Sequence, residues 1–297
     1  MPDLASEMII GVDWGTSSFR AYRLRGREVL ERRESGGGIL QVDPGGFAAA
    51  LRREIGPWLE GNPRVLMAGM VGSRQGWVEA PYVACPAGPA ELARRLVDAP
   101  FERAQVRIVP GLEARDADGV PEVIRGEETQ IAGVLRQIGS DATACLPGSH
   151  SKWVTIRGGR IEGFATHLTG EAYAALRGHT ILGRMMRDGE TDRAAFRRGV
   201  ARSGQKGGLL HHLFGVRTQS LFGQLSQNEA GSYLSGLLIG HEVRAAAPDG
   251  TVHLIGAEAL CALYALALEG CGVEAVVVAG DAAASGLALI AELALWD

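Results

Sequence analysis

The sequence is sparing in the features that mark several protein classes. It has four cysteines in 297 residues (Cys85, Cys145, Cys261, Cys271), no Cys-x-x-Cys pair and no histidine at zinc-ligand spacing. Neither a disulfide framework nor a metal cage is implied, and a reducing, cytoplasmic setting is expected. No apolar run approaches the roughly 18 residues that a bilayer span requires. Met1 to Glu7 carry two acids and no basic segment, so a chain neither secreted nor membrane-inserted is expected. Basic residues (30) do not outnumber acidic ones (34), and the net charge of -4 leaves no concentrated cation surface for a nucleic-acid backbone. The one arginine-rich run, Arg20, Arg23, Arg25 and Arg27, alternates with Ala21, Tyr22 and Leu24 and reads as a strand with one wet face.

Common catalytic signatures are missing as well. There is no Gly-x-x-x-x-Gly-Lys-Ser/Thr loop and no Gly-x-Ser-x-Gly elbow. The run Gly270-Cys271-Gly272 precedes a strand, so it reads as a turn and not as a dinucleotide loop. His211-His212 has no third ligand at useful spacing.

What remains is a glycine-rich, aliphatic chain of the α/β kind, with 42 glycines and 6% aromatics. Its length exceeds what one core usually supports, which predicts two similar lobes, 1–140 and 141–297, meeting at a soft boundary with a cleft available between them. Apolar runs predict strands at Met8 to Asp13, Phe19 to Leu24, Val29 to Glu34, Val65 to Ala68 and Val106 to Val109. Helices are expected from Asp43-Pro44 to about Leu59, near Glu91 to Val97, and from Arg125 to Ile138. The strand–turn–strand plan then restarts: Ala142 to Leu146, Trp153 to Ile156, Ile161 to Thr166. A mainly helical stretch, about 170–240, leads to a β-α-β-α ending, with helices at Ala257 to Leu268 and Ala282 to Leu295.

Asp13 ends a buried strand and is followed by Trp14-Gly15-Thr16-Ser17-Ser18. A carboxylate at that point can hold a hydrated metal, and the turn offers N–H groups and hydroxyls to phosphates; an ordinary hairpin explains the glycine but not the whole string. Three further strings accompany it: Met67 to Ser73, Arg125-Gly126-Glu127-Glu128-Thr129-Gln130, and Pro147-Gly148-Ser149-His150-Ser151-Lys152-Trp153-Val154. With Leu234 to Gly240, and in this order along nearly the whole chain, they resemble the 2-dehydro-3-deoxygalactonokinase family of actin/hexokinase-type (ASKHA) sugar kinases.

The resemblance implies a two-lobed actin-like, ribonuclease H-like fold with an active site in the inter-lobe cleft. It implies transfer of the ATP γ-phosphate to the C6 hydroxyl of 2-dehydro-3-deoxy-D-galactonate in galactonate catabolism, giving 2-dehydro-3-deoxy-6-phosphogalactonate and ADP. ATP and Mg²⁺ are the implied cofactors, a small sugar acid the partner, and a homodimer is compatible with it. On this reading Asp13 is the metal-side acid and Gly15, Thr16 and Ser17 cradle phosphates, with Gly148, Ser149, His150 and Lys152 opposite them. The last string departs from the Asp-Gly or Gly-Thr-Gly of typical sugar kinases, so a solvated lysine and a turn histidine are the plain alternatives. One of Glu127 and Glu128 is the general base, although acids in a first helical turn also suit the dipole. Gly72, Ser73, Arg74 and Arg125 are candidates for the substrate carboxylate. Gly256 and Gly280, each at a strand end before a helix, would admit the nucleotide or simply pack tightly. Competing readings are a kinase for another sugar on the same fold, a non-catalytic sugar sensor, and an actin-like ATPase.

Overall fold

The computed structural model describes residues 8–296; the reading of Met1 to Glu7 falls outside them. The chain forms two compact units. The first comprises the described residues up to Asp141, Ile156–Gly163 and those from Ala279 on; the second comprises Ala142–Thr155 and Phe164–Val278.

The first unit opens with β1 (Met8–Trp14), β2 (Phe19–Arg25) and β3 (Glu28–Ser35), joined by short turns and paired antiparallel. Then come α1 (Phe47–Ile55), β4 (Arg64–Ala68), β5 (Val83–Ala84), α2 (Pro89–Ala93), β6 (Val97–Ala99), β7 (Gln105–Ile108), β8 (Leu112–Arg115), β9 (Pro121–Ile124) and α3 (Glu127–Ile138). The main sheet runs β3-β2-β1-β4-β7-β6, with β1, β4 and β7 parallel, and β5, β8 and β9 make a small second sheet. The isoleucines and valine of β1 suit a strand buried on both faces. Trp14 and Phe19, both fully buried and 5.0 Å apart edge to face, pin the β1–β2 turn into the core beside Phe47.

Helix α1 is shorter than the sequence predicts. Asp43 accepts the Gly46 N–H in a tight turn and Gly45 sits at φ 79°, so the helix cannot begin until Phe47. Strands β5, β6, β8 and β9 were not foreseen; at two to four residues they are too short to show a hydrophobic period.

The second unit repeats the plan. It holds β10 (Ala142–Leu146), β11 (Ser151–Arg157), β12 (Arg160–His167), α4 (Thr169–His179), α5 (Arg193–Ser203), α6 (Gly208–Leu221), α7 (Gln227–Ala246), β13 (Val252–Leu254), α8 (Glu258–Gly270) and β14 (Ala275–Val277). Its sheet runs β12-β11-β10-β13-β14, with β10, β13 and β14 parallel. The order third, second, first, fourth therefore opens both sheets, in keeping with the actin-like, ribonuclease H-like class expected from the sequence. Helices α4 to α7 supply the helical stretch. Val216, Leu225, Tyr233, Leu234 and Leu237 give it a core of its own, and a Ser226–Glu229 capping box starts α7.

The last helix, α9 (Ala282–Leu293), packs on α3 and β1 of the first unit, whereas the sequence reading grouped 141–297 together. The reason is steric. Side-chain carbons at Gly133 and Gly286 would lie 2.1 Å from Ala282 O and 1.8 Å from Thr129 O, so the two helices cross at a distance only glycines permit. This crossing fixes the N-termini of α3 and α9, where three of the first unit's acids lie. Among the described residues no helix is long and apolar enough to cross a membrane.

Candidate active site

Asp13 stands near the end of β1, beside the loop that leaves its parallel neighbour β4. Gly69 begins that loop at φ 93°, and a side-chain carbon there would be 2.8 Å from Trp14 O and 3.3 Å from Asp13 Oδ1. Gly126, just before α3, packs on the same Gly69, so the segments carrying Asp13, Ser73 and Glu127 converge within one unit. The Asp13 side chain is 15% exposed, with Arg20 Nη1 3.5 Å away. Burial raises its pKa above the usual carboxylate range; Arg20 opposes the rise, and the charges of Asp281 and Glu127 add to it. The Gly15-Thr16-Ser17 turn is held from below: Gly15 donates to Ser18 O at 2.9 Å, Gly15 O and Thr16 O accept from Ile39 and Leu40, and Trp14 Nε1 donates to Gly37 O. Thr16 and Ser17 stay exposed at the tip.

The two glutamates separate clearly. Glu127 is half-buried, accepts the Arg125 N–H at 3.0 Å, and its charge reaches Asp13. Glu128 is 1% exposed, and both its oxygens are taken, one by the Gly126 N–H at 2.7 Å and one by the Thr129 hydroxyl at 3.0 Å. Burial, with help from the Glu127 charge, pushes its pKa up to about 7 against the pull of those donors.

Arg125 lies over the Tyr82 ring, 4.3 Å from its centroid, and donates through Nη2 to Ala80 O. Its Nε and Nη1 are buried and make no hydrogen bond, and Nη1 lies against Gly72. The Ser73 hydroxyl on the same loop is also buried and without a partner. Arg74 is placed otherwise: its side chain is 87% exposed and meets Glu79 at 3.6 Å on the surface. Sequence reading missed Asp281, which caps α9 by accepting the Ala284 N–H, accepts the Tyr22 hydroxyl at 3.2 Å and lies 3.5 Å from Arg32. An aspartate just before an apolar helical run is a capping signal, and its neighbour Gly280 had drawn the attention instead.

In the second unit, Gly148 and Ser149 line a cavity of about 430 Å³ together with Thr169, Tyr173, Ser232 and Tyr264. The first turn of α4 sits on the β10–β11 turn: a side chain at Gly170 would strike Gly148 O, and the Glu171 N–H donates to Ser149 O at 3.0 Å. The positive end of α4 therefore adjoins the turn, a favourable place for phosphate. His150 pairs with the Glu171 carboxylate at the surface. Lys152 is 7% exposed, yet no hydrogen bond or ion pair is made to it among the described residues. Its stem is buried while the unpaired ammonium still reaches solvent, where an anionic ligand can meet it. Gly256, at φ 148°, packs beside Pro147 at the base of this turn, whereas Gly280 belongs to the first unit with open space at its α-carbon.

Among the described residues no three His, Cys, Asp or Glu side chains are grouped to hold a metal. That leaves Asp13 as a lone, partly shielded carboxylate. Such a donor suits Mg²⁺, which keeps its waters and takes phosphate oxygens rather than a protein cage.

Comparison with known proteins identifies the family. A protein of Rhizobium meliloti named a probable 2-dehydro-3-deoxygalactonokinase is 37% identical over 296 residues, covering 96% of each chain. The Escherichia coli 2-dehydro-3-deoxygalactonokinase is 34% identical over 278 residues, covering 92% of this chain and 94% of its own. A crystal structure from Sinorhizobium meliloti, assigned to the same activity, superposes with a TM-score of 0.88 at 35% identity over 96% of this chain and 97% of its own. The family model for 2-keto-3-deoxy-galactonokinase matches residues 13–290, from the acid at the end of β1 into the helix that packs against α3, and the chain belongs to that family of sugar-acid kinases.

Proposed function

We propose that the protein transfers the γ-phosphate of ATP to the C6 hydroxyl of 2-dehydro-3-deoxy-D-galactonate, as part of galactonate breakdown in the cytoplasm. The observation that carries the substrate assignment is Arg125, a guanidinium with Nε and Nη1 buried and unpaired, beside the equally unpaired Ser73 hydroxyl. A planar carboxylate matches that donor fork, and a neutral hexose does not.

Glu127 is the proposed base. It is the accessible carboxylate of its pair, and it adjoins both Arg125 and the charge field of Asp13. Sitting in the first turn of α3, it orients the C6 hydroxyl and takes its proton as the new bond to phosphorus forms. Glu128, with both oxygens engaged, holds the turn that presents Glu127. Gly15, Thr16 and Ser17 cradle β- and γ-phosphates from the first unit. Within the second unit, Gly148, Ser149 and Lys152 are the candidate phosphate contacts, and the adjoining cavity with Gly256 at the foot of its turn takes the nucleoside. Mg²⁺ on Asp13 would neutralise charge developing on the phosphate oxygens.

The test is an ADP-release assay across 2-keto-3-deoxy sugar acids, hexoses and pentuloses, with the product's phosphate position read by NMR. The reading predicts 6-phosphorylated sugar acid as the preferred product. Equal or better turnover of a neutral hexose would reject it.

A further inference from the structure

Glu242 lies toward the C-terminal end of α7, two residues beyond the Leu234 to Gly240 string, and is 4% exposed. Among the described residues no cation meets it. Its Oε1 accepts from the Ser151 hydroxyl at 2.7 Å and from Trp153 Nε1 at 2.8 Å, and its Oε2 accepts from the Tyr264 hydroxyl at 2.7 Å. All three donors are neutral, and burial together with the Glu242 charge holds the Tyr264 hydroxyl well above its ordinary pKa, so it remains a donor. A buried carboxyl group is an expensive way to fill a core; an apolar side chain of similar volume would cost less. The feature that an apolar residue could not supply is position.

The positions are informative. Ser151 and Trp153 flank Lys152 at the start of β11, and alternation along the strand turns the lysine side chain to the face opposite theirs. Tyr264, the third donor, is in α8 and lines the cavity that begins at Gly148 and Ser149. One carboxylate on α7 thus ties together the strand that carries the unpaired ammonium and the helix that forms the cavity wall.

We propose that Glu242 is a positioning residue for phosphoryl transfer: by clamping Ser151 and Trp153 and tethering Tyr264, it sets the reach of Lys152 toward the nucleotide phosphates. The proposal rests on the reading of Lys152 as a phosphate ligand given above. Misplacing a catalytic cation by a fraction of an ångström to an ångström costs about tenfold to a hundredfold in rate.

The experiment is a double-mutant cycle between Glu242→Gln and Lys152→Met, measuring kcat and KM for ATP and for the sugar acid, with urea unfolding to follow the folded state. Glu242→Gln should lower kcat/KM for ATP by about tenfold or more and leave KM for the sugar acid within about twofold. In the Lys152→Met background the same substitution should change kcat/KM for ATP by less than about twofold, because the group it positions is gone. Losses that multiply in full in both backgrounds, or that fall equally on both substrates, overturn the proposal. If Lys152→Met alone leaves ATP kinetics unchanged, the phosphate reading of Lys152 has failed and the clamp falls with it; if Lys152→Met is impaired and the cycle is additive, only the clamp is wrong. Should Glu242→Gln not fold, Ser151→Ala and Tyr264→Phe, each removing one hydrogen bond, take its place in the same cycle with the same outcomes.

Discussion

The turn after β1 and the turn after β10 follow one plan and sit in opposite chemistry. Each connects the first two strands of a sheet whose order begins third, second, first, fourth, and each leaves a strand that has a parallel neighbour. Around the first turn the protein gathers carboxylates: Asp13, with the charges of Glu127 and Asp281 acting on it. Around the second it offers the unpaired ammonium of the mostly buried Lys152 and the N-terminal turn of α4. The difference fits the roles proposed above, since metal holding and proton acceptance draw on carboxylates, whereas a polyphosphate is gripped by backbone N–H groups, cations and dipoles.

That difference is most exposed at Asp13 and Glu127. Asp13→Asn and Glu127→Gln should each lower kcat by about 10²–10⁴ while urea unfolding shows an intact fold. Glu128→Gln should retain most activity, since its oxygens face Gly126 and Thr129. If Glu128→Gln were the crippled variant and Glu127→Gln active, the two roles would exchange. The next effect in size concerns the substrate side of the first unit. Arg125→Ala should cut kcat/KM for the sugar acid by about a hundredfold and leave KM for ATP nearly unchanged, as expected for loss of a charge-assisted pair. A loss falling on ATP instead would erase the contrast between the units.

Much of this was legible in the sequence, for reasons that differ by residue. Asp13 and the turn after it could be read because a long buried strand, an acid and a Gly-Thr-Ser-Ser string are all local. The repeat at Ala142 was equally plain, and β10 has the predicted bounds. What stayed hidden depends on contacts between distant segments. The packing of α9 on α3 rests on Gly133 and Gly286, which as isolated glycines carry no signal. Arg74 and Arg125 looked equivalent as charges; only the fold buries one beside Gly72 and leaves the other at the surface with Glu79. Glu242 drew no attention in the sequence, because its partners Ser151, Trp153 and Tyr264 come from distant segments.

The carboxylate side of the comparison also has a pH signature. Folding raises the Glu128 pKa from 4.5 to about 7, so the folded chain holds this proton more tightly than the unfolded one. The stabilisation is complete below about pH 4.5 and is lost as pH rises through 7. Urea unfolding between pH 5 and pH 8 should show the wild type losing up to about 3 kcal/mol relative to Glu128→Gln, at about 1.4 kcal/mol per pKa unit. Parallel curves for the two proteins would mean that Glu128 is ionised in the fold at neutral pH.

The smallest effects belong to Arg74, on the loop after β4, and His150, in the turn after β10, whose side chains face water. Arg74 and Glu79 meet at 3.6 Å with exposed side chains, and the His150–Glu171 pair is about half exposed. Exposed pairs contribute about 0–1 kcal/mol, because solvent screens the attraction and ordering two side chains costs entropy. Arg74→Ala and His150→Ala should therefore each change kcat/KM for either substrate by less than about threefold. The two variants sharpen the comparison from opposite sides. A tenfold loss in His150→Ala confined to ATP would add an imidazole to the cations of the second turn, and a tenfold loss in Arg74→Ala confined to the sugar acid would give the first unit a second guanidinium for the substrate carboxylate.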